Sequence, residues 1–260
     1  MDVQGKGVVV TGAGRGIGRA IAARMAAEGA RVVVNDLDAD AATAVAREIG
    51  GHPVPGDAAT EAGVGALVDA ARRHLGGIDI YFANAGIDLG GGLDTPADDW
   101  ARALEVNVMA HVRAAQQLVP TWLKEGGGRF VVTASAAGLL TMLGNAPYSV
   151  TKHGAVAFAE WLSATYGHRG ITVQVICPQG VKTRMLDNAG PLRELLSHDI
   201  ALEPEQVAET VWHALRDDRF LILPHPQVQG YNEYHATNTE GWLAGMRKLQ
   251  RRLDEAGGLS

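Results

Sequence analysis

Six short runs of apolar and β-branched residues occur at intervals along the chain. Nearly every position in each run is apolar, which is typical of strands covered on both faces. The runs are GVVVT (7–11), RVVVND (31–36), IDIYFANAG (78–86), GRFVVTAS (128–135), ITVQVICP (171–178) and FLILP (220–224). Because segments with helical periodicity separate them, the pattern predicts an α/β fold, a doubly wound, mostly parallel, Rossmann-like sheet with helices on both faces.

No internal repeat or Pro/Ser-rich linker interrupts this alternation, so residues 1–260 are expected to form a single domain. The stretch 225–260 differs in character, with a polar loop followed by a charged amphipathic helix. We expect this C-terminal extension to pack against the domain or to contact another subunit.

Composition narrows the classes of partner. A formal net charge of -6 and a pI near 5.8 argue against nucleic acid and anionic membranes, and favour a small molecule. Cys177 is the single cysteine, which excludes an internal disulfide, and the nine histidines lack metal-ligand spacing, so no metal is expected. The N-terminus does not resemble a signal peptide, and no apolar run approaches ~18 residues, so the predicted location is cytoplasmic.

A glycine-rich turn follows the first predicted strand. In TGAGRGIG (11–18), Gly12, Gly16 and Gly18 lead into a predicted helix. The N-terminus of a helix offers unpaired backbone N–H groups to an anion, and glycines allow close approach, which favours a pyrophosphate. Glycines also occur in strand-to-helix turns that bind nothing.

Asp36 ends the second predicted strand, 24 residues after Gly12. A carboxylate there accepts hydrogen bonds from the hydroxyls of an adenosine ribose and repels a 2′-phosphate, which favours NAD. Arg15 could bind that phosphate and makes NADP the less favoured alternative. Asp36 could instead be the first carboxylate of the next helix, a role that Asp38 would fill equally well.

With two further motifs, Asp57 in GDAAT and Asn84-Ala85-Gly86, the chain resembles the short-chain dehydrogenase/reductase family over residues 6 to about 224. The glycine spacing and length resemble its shorter single-domain branch. The longer branch of epimerases and dehydratases differs in both, so most sugar-nucleotide chemistry is excluded. The residues predicted to bind the dinucleotide are Gly12, Arg15, Gly16, Ile17, Gly18, Asp36, Leu37, Asp57, Ala58, Asn84, Ala85, Gly86, Tyr148, Lys152, Pro178, Val181 and Thr183.

The sequence YSVTK (148–152) places Tyr148 and Lys152 on one face of a predicted helix. An ammonium about 4 Å from a phenolate is worth up to about 4 kcal/mol at an effective dielectric near 20. The pKa of Tyr148 is therefore predicted to fall below its ordinary value of ~10, so that the phenolate accepts the proton of an alcohol as hydride leaves the carbon. In the reverse direction Tyr148 is the general acid.

Two more residues complete the predicted catalytic set. Ser135 ends a predicted strand and can donate to the developing alkoxide, although such a serine often caps a turn. By the family resemblance, Asn107 in LEVNVMA holds a water that relays protons through Lys152, and Lys152 also binds the nicotinamide ribose. A helical asparagine is otherwise most often a surface residue.

One position departs from the family pattern Pro-Gly-x-Val-x-Thr. The chain has PQGVKT (178–183), so that Gln179 replaces the glycine and either turns outward or contacts the substrate. Val181 and Thr183 match the pattern and are expected to meet the nicotinamide carboxamide.

The residues that follow the strand ends are largely apolar and favour a neutral, fairly apolar alcohol or ketone. The apolar ones are Ile87, Leu89, Ala136, Leu139, Leu140, Met142, Val181, Met185 and Leu186. The polar candidates are Asp88, Asn145 and Gln179, with Arg184 and Arg193 able to reach inward.

The leading hypothesis is an NAD-dependent oxidoreductase that interconverts a secondary alcohol and a ketone. The alternatives are a dinucleotide-sensing protein without catalysis and an NADPH-dependent ketone reductase, the latter favoured only by Arg15. The resemblance also implies a homo-oligomer, a dimer or tetramer, formed through helices at 95–123 and 147–167. Phe158 and Trp161 would then lie at the interface or, equally, in the core.

Overall fold

The computed structural model describes residues 2–187 and 201–255. Its strands are Gly7–Val10 (β1), Arg31–Val34 (β2), His52–Pro53 (β3), Ile80–Ala83 (β4), Gly128–Thr133 (β5), Ile171–Ile176 (β6) and Leu221–Ile222 (β7). Its helices are Gly16–Ala27 (α1), Ala39–Ile49 (α2), Glu61–Leu75 (α3), Ala97–Leu104 (α4), Ala110–Glu125 (α5), Ala146–Tyr166 (α6), Arg184–Asp187 (α7), Pro204–Ala214 (α8), Gln227–Thr237 (α9) and Thr239–Glu255 (α10). A π-helical turn, Glu105–Met109, joins α4 to α5.

The strands form one sheet in the order β3-β2-β1-β4-β5-β6-β7, and every neighbouring pair is parallel. This confirms the predicted α/β fold, and each of the six apolar runs contains a strand. The strand order reverses between β1 and β4, which is where open parallel sheets bind ligands beyond the carboxyl ends of their strands.

Strand β3 is the one that the apolar runs do not reveal. It consists of two exposed residues, His52 and Pro53, which pair with β2 at the edge of the sheet. Since an edge strand of this length buries no side chain, it has no hydrophobic pattern. It lies just before Asp57, where the family resemblance implies a third strand.

The strands in the apolar runs contribute side chains to two hydrophobic core layers, one on each face of the sheet. Val9 of β1 packs on one face of the sheet with Leu118 of α5 and Leu162 of α6. Its neighbours Val8 and Val10 pack on the other face, in a cluster that includes side chains of α1, α2 and α8. Alternate residues of a strand point to opposite faces, so a strand buried on both sides needs apolar residues at every position.

The C-terminal extension forms two helices, where the sequence predicts a polar loop before a single helix. Helix α9 occupies the predicted loop and has one buried residue, Val228. None of the residues of α10 is buried. The composition of α9 is polar because it forms few core contacts, which hides its helical period from sequence, whereas α10 corresponds to the predicted amphipathic helix. Residues 256–260 lie outside the described part of the chain.

Helix α6 presents an aromatic pair at its surface. Trp161 is 54% exposed, so the alternative that it is a core residue is wrong, whereas Phe158 is half-buried against the core. The two rings stack at 6.3 Å. None of the described helices is both long and apolar enough to cross a membrane.

Candidate active site

A cavity of about 1500 Å³ opens at the carboxyl edge of the sheet. Every predicted site residue except Asn107 lines it. A single small molecule usually occupies a pocket of about 300 to 1,000 Å³. The cavity therefore has room for a dinucleotide and a second molecule together.

The glycine loop forms one end of this cavity. Gly12 and Gly16 have φ angles of 60° and 54°, in the left-handed region that favours glycine. A Cβ on Gly18 would lie 2.3 Å from the carbonyl oxygen of Gly12, so only glycine fits there. Helix α1 starts at Gly16, and Arg15 at its N-cap makes no side-chain capping bond. The first backbone N–H groups of α1 are thus available to a phosphate, and the loop fits a dinucleotide.

Thr11 and Asn84 hold this loop against the end of β4. The Thr11 hydroxyl accepts hydrogen bonds from the backbone N–H groups of Asn84 and Ala85, both at 3.0 Å. The Asn84 side-chain amide donates to the carbonyls of Thr11 at 2.9 Å and Gly12 at 3.3 Å. The side-chain N–H donors of Asn84 are therefore engaged in bracing the loop. Thr11 is a site-forming residue that the sequence analysis missed.

Asp36 lies on the cavity wall beside the glycine loop. Its Oδ2 accepts a hydrogen bond from the backbone N–H of Gly14 at 2.8 Å, and its Oδ1 accepts one from Asp38 at 3.0 Å. Asp38 is the residue that caps α2, through the N–H of Ala41, and it also pairs with Arg15 at 2.8 Å. The helix-capping role that was open for Asp36 therefore belongs to Asp38.

Three more predicted residues, Leu37, Asp57 and Ala58, line the same end of the cavity. Leu37 is 73% exposed at the rim, whereas Ala58 is buried. The carboxylate of Asp57 accepts the backbone N–H of Ala59 at 2.8 Å, which fixes the turn after β3.

Tyr148 and Lys152 lie on α6 at the other end of the cavity. Asn145 begins this helix, and its side-chain oxygen accepts the backbone N–H of Tyr148 at 3.1 Å. The ammonium of Lys152 is buried and donates to the carbonyl of Thr133 at 3.0 Å. It lies 5.5 Å from the centroid of the Tyr148 ring.

Burial, not charge, dominates the ionisation of this pair. Removal from water raises the pKa of Tyr148 to about 12, and the nearby hydroxyl of Ser135 opposes this rise. Burial also lowers the pKa of Lys152 to about 8. For the chain by itself, the expected lowering of the Tyr148 pKa by Lys152 is therefore wrong, because desolvation raises this pKa and the Lys152 ammonium is bonded to Thr133.

Ser135 caps a turn and also lines the cavity. Its hydroxyl accepts the backbone N–H of Ala137 at 3.1 Å and so caps a short 3₁₀ turn. It also lines the cavity beside Tyr148 and interacts with its phenol. A turn-capping serine with a fixed hydroxyl is well placed to meet an oxygen of a bound molecule.

Asn107 lies behind the cavity wall. It is fully buried in the π-helical turn, a feature often found at functional sites, and the alternative of a surface residue is wrong. Its amide exchanges two hydrogen bonds of 2.9 Å with the backbone of Ile87 and donates to Thr151 at 3.0 Å. Its Oδ1 and the Nζ of Lys152 each lie 3.2 Å from the position that a Cβ on Gly86 would occupy.

Gln179 both lines the cavity and binds the C-terminal extension. Its backbone N–H donates to Nδ1 of His225 at 3.1 Å, and its side-chain oxygen accepts from Gln227 at 3.0 Å. Neither sequence alternative anticipated this contact. The extension also contributes cavity-lining residues that the sequence analysis missed: Tyr231 and Tyr234, in the stretch predicted as a loop, and Trp242, Met246 and Leu249, on the predicted amphipathic helix.

Most of the predicted apolar substrate wall lies on the cavity. Leu89 and Leu139 are not among the lining residues, and Asn145 is buried as the cap of α6. Arg184 lines the cavity, whereas Arg193 lies outside the described residues.

The model of the short chain dehydrogenase family matches residues 6–193. The chain belongs to the short-chain dehydrogenase/reductase family. Among curated proteins of this family, a 1-deoxy-11-beta-hydroxypentalenate dehydrogenase of Streptomyces avermitilis is 34% identical over 238 residues, 88% of each chain. A cyclohexanol dehydrogenase of Acinetobacter is 32% identical over 84% of this chain and 90% of the relative.

Solved structures of the family agree with this assignment. A short-chain dehydrogenase/reductase from Burkholderia phymatum in complex with NAD superimposes with a TM-score of 0.85 at 29% identity, covering 92% of this chain and 96% of the other. A 7 alpha-hydroxysteroid dehydrogenase with NADH and 7-oxo glycochenodeoxycholic acid has a TM-score of 0.76 at 29% identity, covering 85% and 92%.

His111 on α5 is a buried titratable residue close to this site. Its Nε2 has no hydrogen-bond partner among the described residues. Burial, with a smaller contribution from Lys152, lowers the pKa of His111 to about 3. The imidazole is thus held neutral in the folded chain at neutral pH.

We expect His111 to make the fold sensitive to acid. Its pKa is lower in the folded chain than in the unfolded chain, so its stabilising contribution is complete above pH 6.5 and is lost as the pH falls toward 3. Over that interval it adds about 1.4 kcal/mol per pH unit to the slope of the free energy of unfolding. The free energy of unfolding can be measured by chemical denaturation at several pH values across this range. Its dependence on pH should be correspondingly weaker in His111→Leu than in the native chain.

The control is His168→Leu, which changes an exposed histidine and should leave the slope as it is. Equal slopes for the native chain and His111→Leu would contradict the prediction.

Proposed function

We propose that this protein is an NAD-dependent dehydrogenase that interconverts a neutral, fairly apolar secondary alcohol and the corresponding ketone. One observation carries the proposal: Ser135, Tyr148 and Lys152 converge on the same cavity as the glycine loop and Asp36. A protein that only senses a dinucleotide has no need for this second group of residues.

The residues at one end of the cavity would bind the dinucleotide, and those at the other end would act on the substrate. The N-terminus of α1 would hold the pyrophosphate, and Asp36 would accept hydrogen bonds from the adenosine ribose. When bound, oxidised NAD supplies the hydride acceptor and a positive charge.

At the reacting end, Ser135 would donate to the substrate oxygen, and Tyr148 would accept the alcohol proton during oxidation or donate it during reduction. The positive charge of Lys152 favours the phenolate and opposes the effect of burial. The hydrogen bonds of Asn107 to Ile87 and Thr151 make it a residue that positions this end of the cavity.

The preference for NAD over NADP rests on two contacts. Asp36 remains on the cavity wall with a carboxylate that would repel a 2′-phosphate. The cation that could attract such a phosphate, Arg15, is paired with Asp38.

The apolar character of the proposed substrate is supported by the cavity lining, and its alcohol group is supported by the names of the relatives. The cavity lining includes the apolar residues Leu140, Met142 and Leu186, and Met185, whose sulfur lies 3.9 Å from the hydroxyl of Tyr148. The names of the relatives include cyclohexanol, meso-2,3-butanediol and D-threitol dehydrogenases, all of which act on alcohols.

We also infer a homo-oligomer. The exposed face of α6 carries Val150 and Trp161, each more than half exposed, and such apolar side chains are typical of subunit contacts.

The substitution Tyr148→Phe removes the phenolic oxygen and retains the ring. Because general acid–base catalysis is worth roughly 10² to 10⁴ in rate, turnover of a secondary alcohol should fall by about that factor. The measurement is NADH formation at saturating NAD and alcohol, with NADH affinity followed separately by fluorescence titration and expected to persist.

Tyr166→Phe is the matched control, since Tyr166 ends the same helix and does not line the cavity. It should retain native turnover. Undiminished activity in Tyr148→Phe would remove the mechanism, and a native chain that produces no NADH from a panel of secondary alcohols would instead favour the sensing role.

Coenzyme choice is tested by replacing Asp36. Asp36→Ala should reduce the preference for NADH over NADPH by about tenfold, since a carboxylate no longer faces the 2′ position. Dissociation constants for both coenzymes measure this, with Asp40→Ala, an exposed residue in the first turn of α2, as the control. A native chain that already binds NADPH more tightly than NADH would show that the ribose argument is wrong.

A further inference from the structure

The helical hairpin formed by α9 and α10 directs an apolar stripe at the cavity. On α10, Trp242, Met246 and Leu249 recur at helical spacing and line the cavity, and Tyr231 and Tyr234 of α9 do the same. This stripe faces the same space as Tyr148.

The stripe is not part of the core. Neither core cluster of the described residues includes a residue of α9 or α10. Tyr231 and Tyr234 remain 38% and 47% exposed, and Trp242, Met246 and Leu249 are half-buried. Apolar side chains in this position gain further burial from a molecule that enters the cavity, because the fold alone does not cover them.

The hairpin is tied to the loop after β6 by Gln179. This glutamine replaces the glycine of the family pattern, and its side-chain oxygen accepts a hydrogen bond of 3.0 Å from Gln227, the first residue of α9. The backbone N–H of Gln179 donates to His225, a buried residue that lies two positions before Gln227. The same loop lines the cavity through Pro178 and Val181, so these contacts fix the hairpin relative to the reacting end.

We propose that the α9–α10 hairpin is the outer wall of the substrate subsite, that its stripe makes the enzyme selective for bulky alcohols with fused apolar rings, and that Gln179 positions it. This inference rests on the proposed function. From Trp242 to Leu249 the stripe is about 10 Å long, at a rise of ~1.5 Å per residue. A fused ring system can cover such a length and bury more apolar surface than a short acyclic alcohol, which would leave most of the stripe in water.

The test compares Trp242→Ala with Leu243→Ala. Leu243 is the neighbouring residue on α10, is 40% exposed and does not line the cavity. Each enzyme is assayed with NAD and three alcohols of increasing size: 2-butanol, cyclohexanol and decahydro-2-naphthol. For the native enzyme, kcat/KM should rise along this series.

In Trp242→Ala, kcat/KM for decahydro-2-naphthol should fall about tenfold because KM rises while kcat stays the same. The reason is that the substitution removes a large aromatic contact that lies far from the reacting atoms. The value for 2-butanol and the dissociation constant of NADH should not change. Leu243→Ala should match the native enzyme with every alcohol.

The role of Gln179 is tested by two replacements. Gln179→Gly restores the residue usual in the family and removes the acceptor for Gln227, so it should raise KM for decahydro-2-naphthol and leave 2-butanol unaffected. Gln179→Glu retains an acceptor oxygen and should keep the KM of the native enzyme. A merely structural role of Gln179 would instead lower activity toward all three alcohols together.

Several outcomes would overturn the inference while leaving the proposed function intact. These are an equal loss for all alcohols in Trp242→Ala, the same loss in Leu243→Ala, or a native enzyme that oxidises 2-butanol but not decahydro-2-naphthol. A change in the sedimentation coefficient of Trp242→Ala without a change in selectivity would make the hairpin a subunit contact.

If the native chain oxidises none of the alcohols, the proposed function fails. The proposal that the hairpin forms the outer wall of the subsite is then tested by binding alone. The readout is then the increase in Tm caused by decahydro-2-naphthol in the presence of NADH. An increase in the native chain that is lost in Trp242→Ala and kept in Leu243→Ala supports the wall, and any other pattern overturns it.

Discussion

The contact between the glycine loop and the end of β4 is the constraint on which the rest of the site depends. Thr11 and Asn84 tie the two together through side-chain and backbone hydrogen bonds, and Gly18 allows the start of α1 to approach them. Two residues beyond Asn84, the missing side chain of Gly86 leaves space for Asn107 Oδ1 and Lys152 Nζ. The glycine loop and the end of the cavity that carries Lys152 are therefore joined by a short stretch of backbone, and a shift at one end would displace the other.

The reacting end shows how burial and charge compete. A cation close to a phenol favours its ionised form, but both groups are buried, and desolvation penalises the charged form of each. The result is a neutral phenol beside a lysine whose pKa is lowered to about 8. Such a pair is sensitive to any further charge in the cavity, because the low dielectric that suppresses ionisation also strengthens interactions with a bound cation.

Sequence predicts the parts of this structure that follow from repeated burial. The strands on both sides of the switch point are apolar throughout, so both the sheet and the edge that carries the site follow from pattern alone. Strand β3 does not, because His52 and Pro53 are exposed. The role of Thr11 was missed for a different reason: a threonine at a strand end has many possible partners, and only the approach of β4 selects Asn84. Likewise, the burial of Asn107 depends on a π-helical turn, which has no simple sequence signal.

Gln179 and the C-terminal hairpin are linked by a hydrogen bond. Sequence comparison with the family pattern marks Gln179 as unusual but cannot assign its partner, since Gln227 is 48 residues away along the chain. The hairpin, in turn, contributes no residue to either core cluster in the described structure, and its one buried residue is Val228. What the hairpin does contribute is one apolar face of the cavity, tied at its first residue to the loop that follows β6. An element that lines a cavity while burying a single residue of its own can alter which molecule fits and leave the residues at the sheet edge in place.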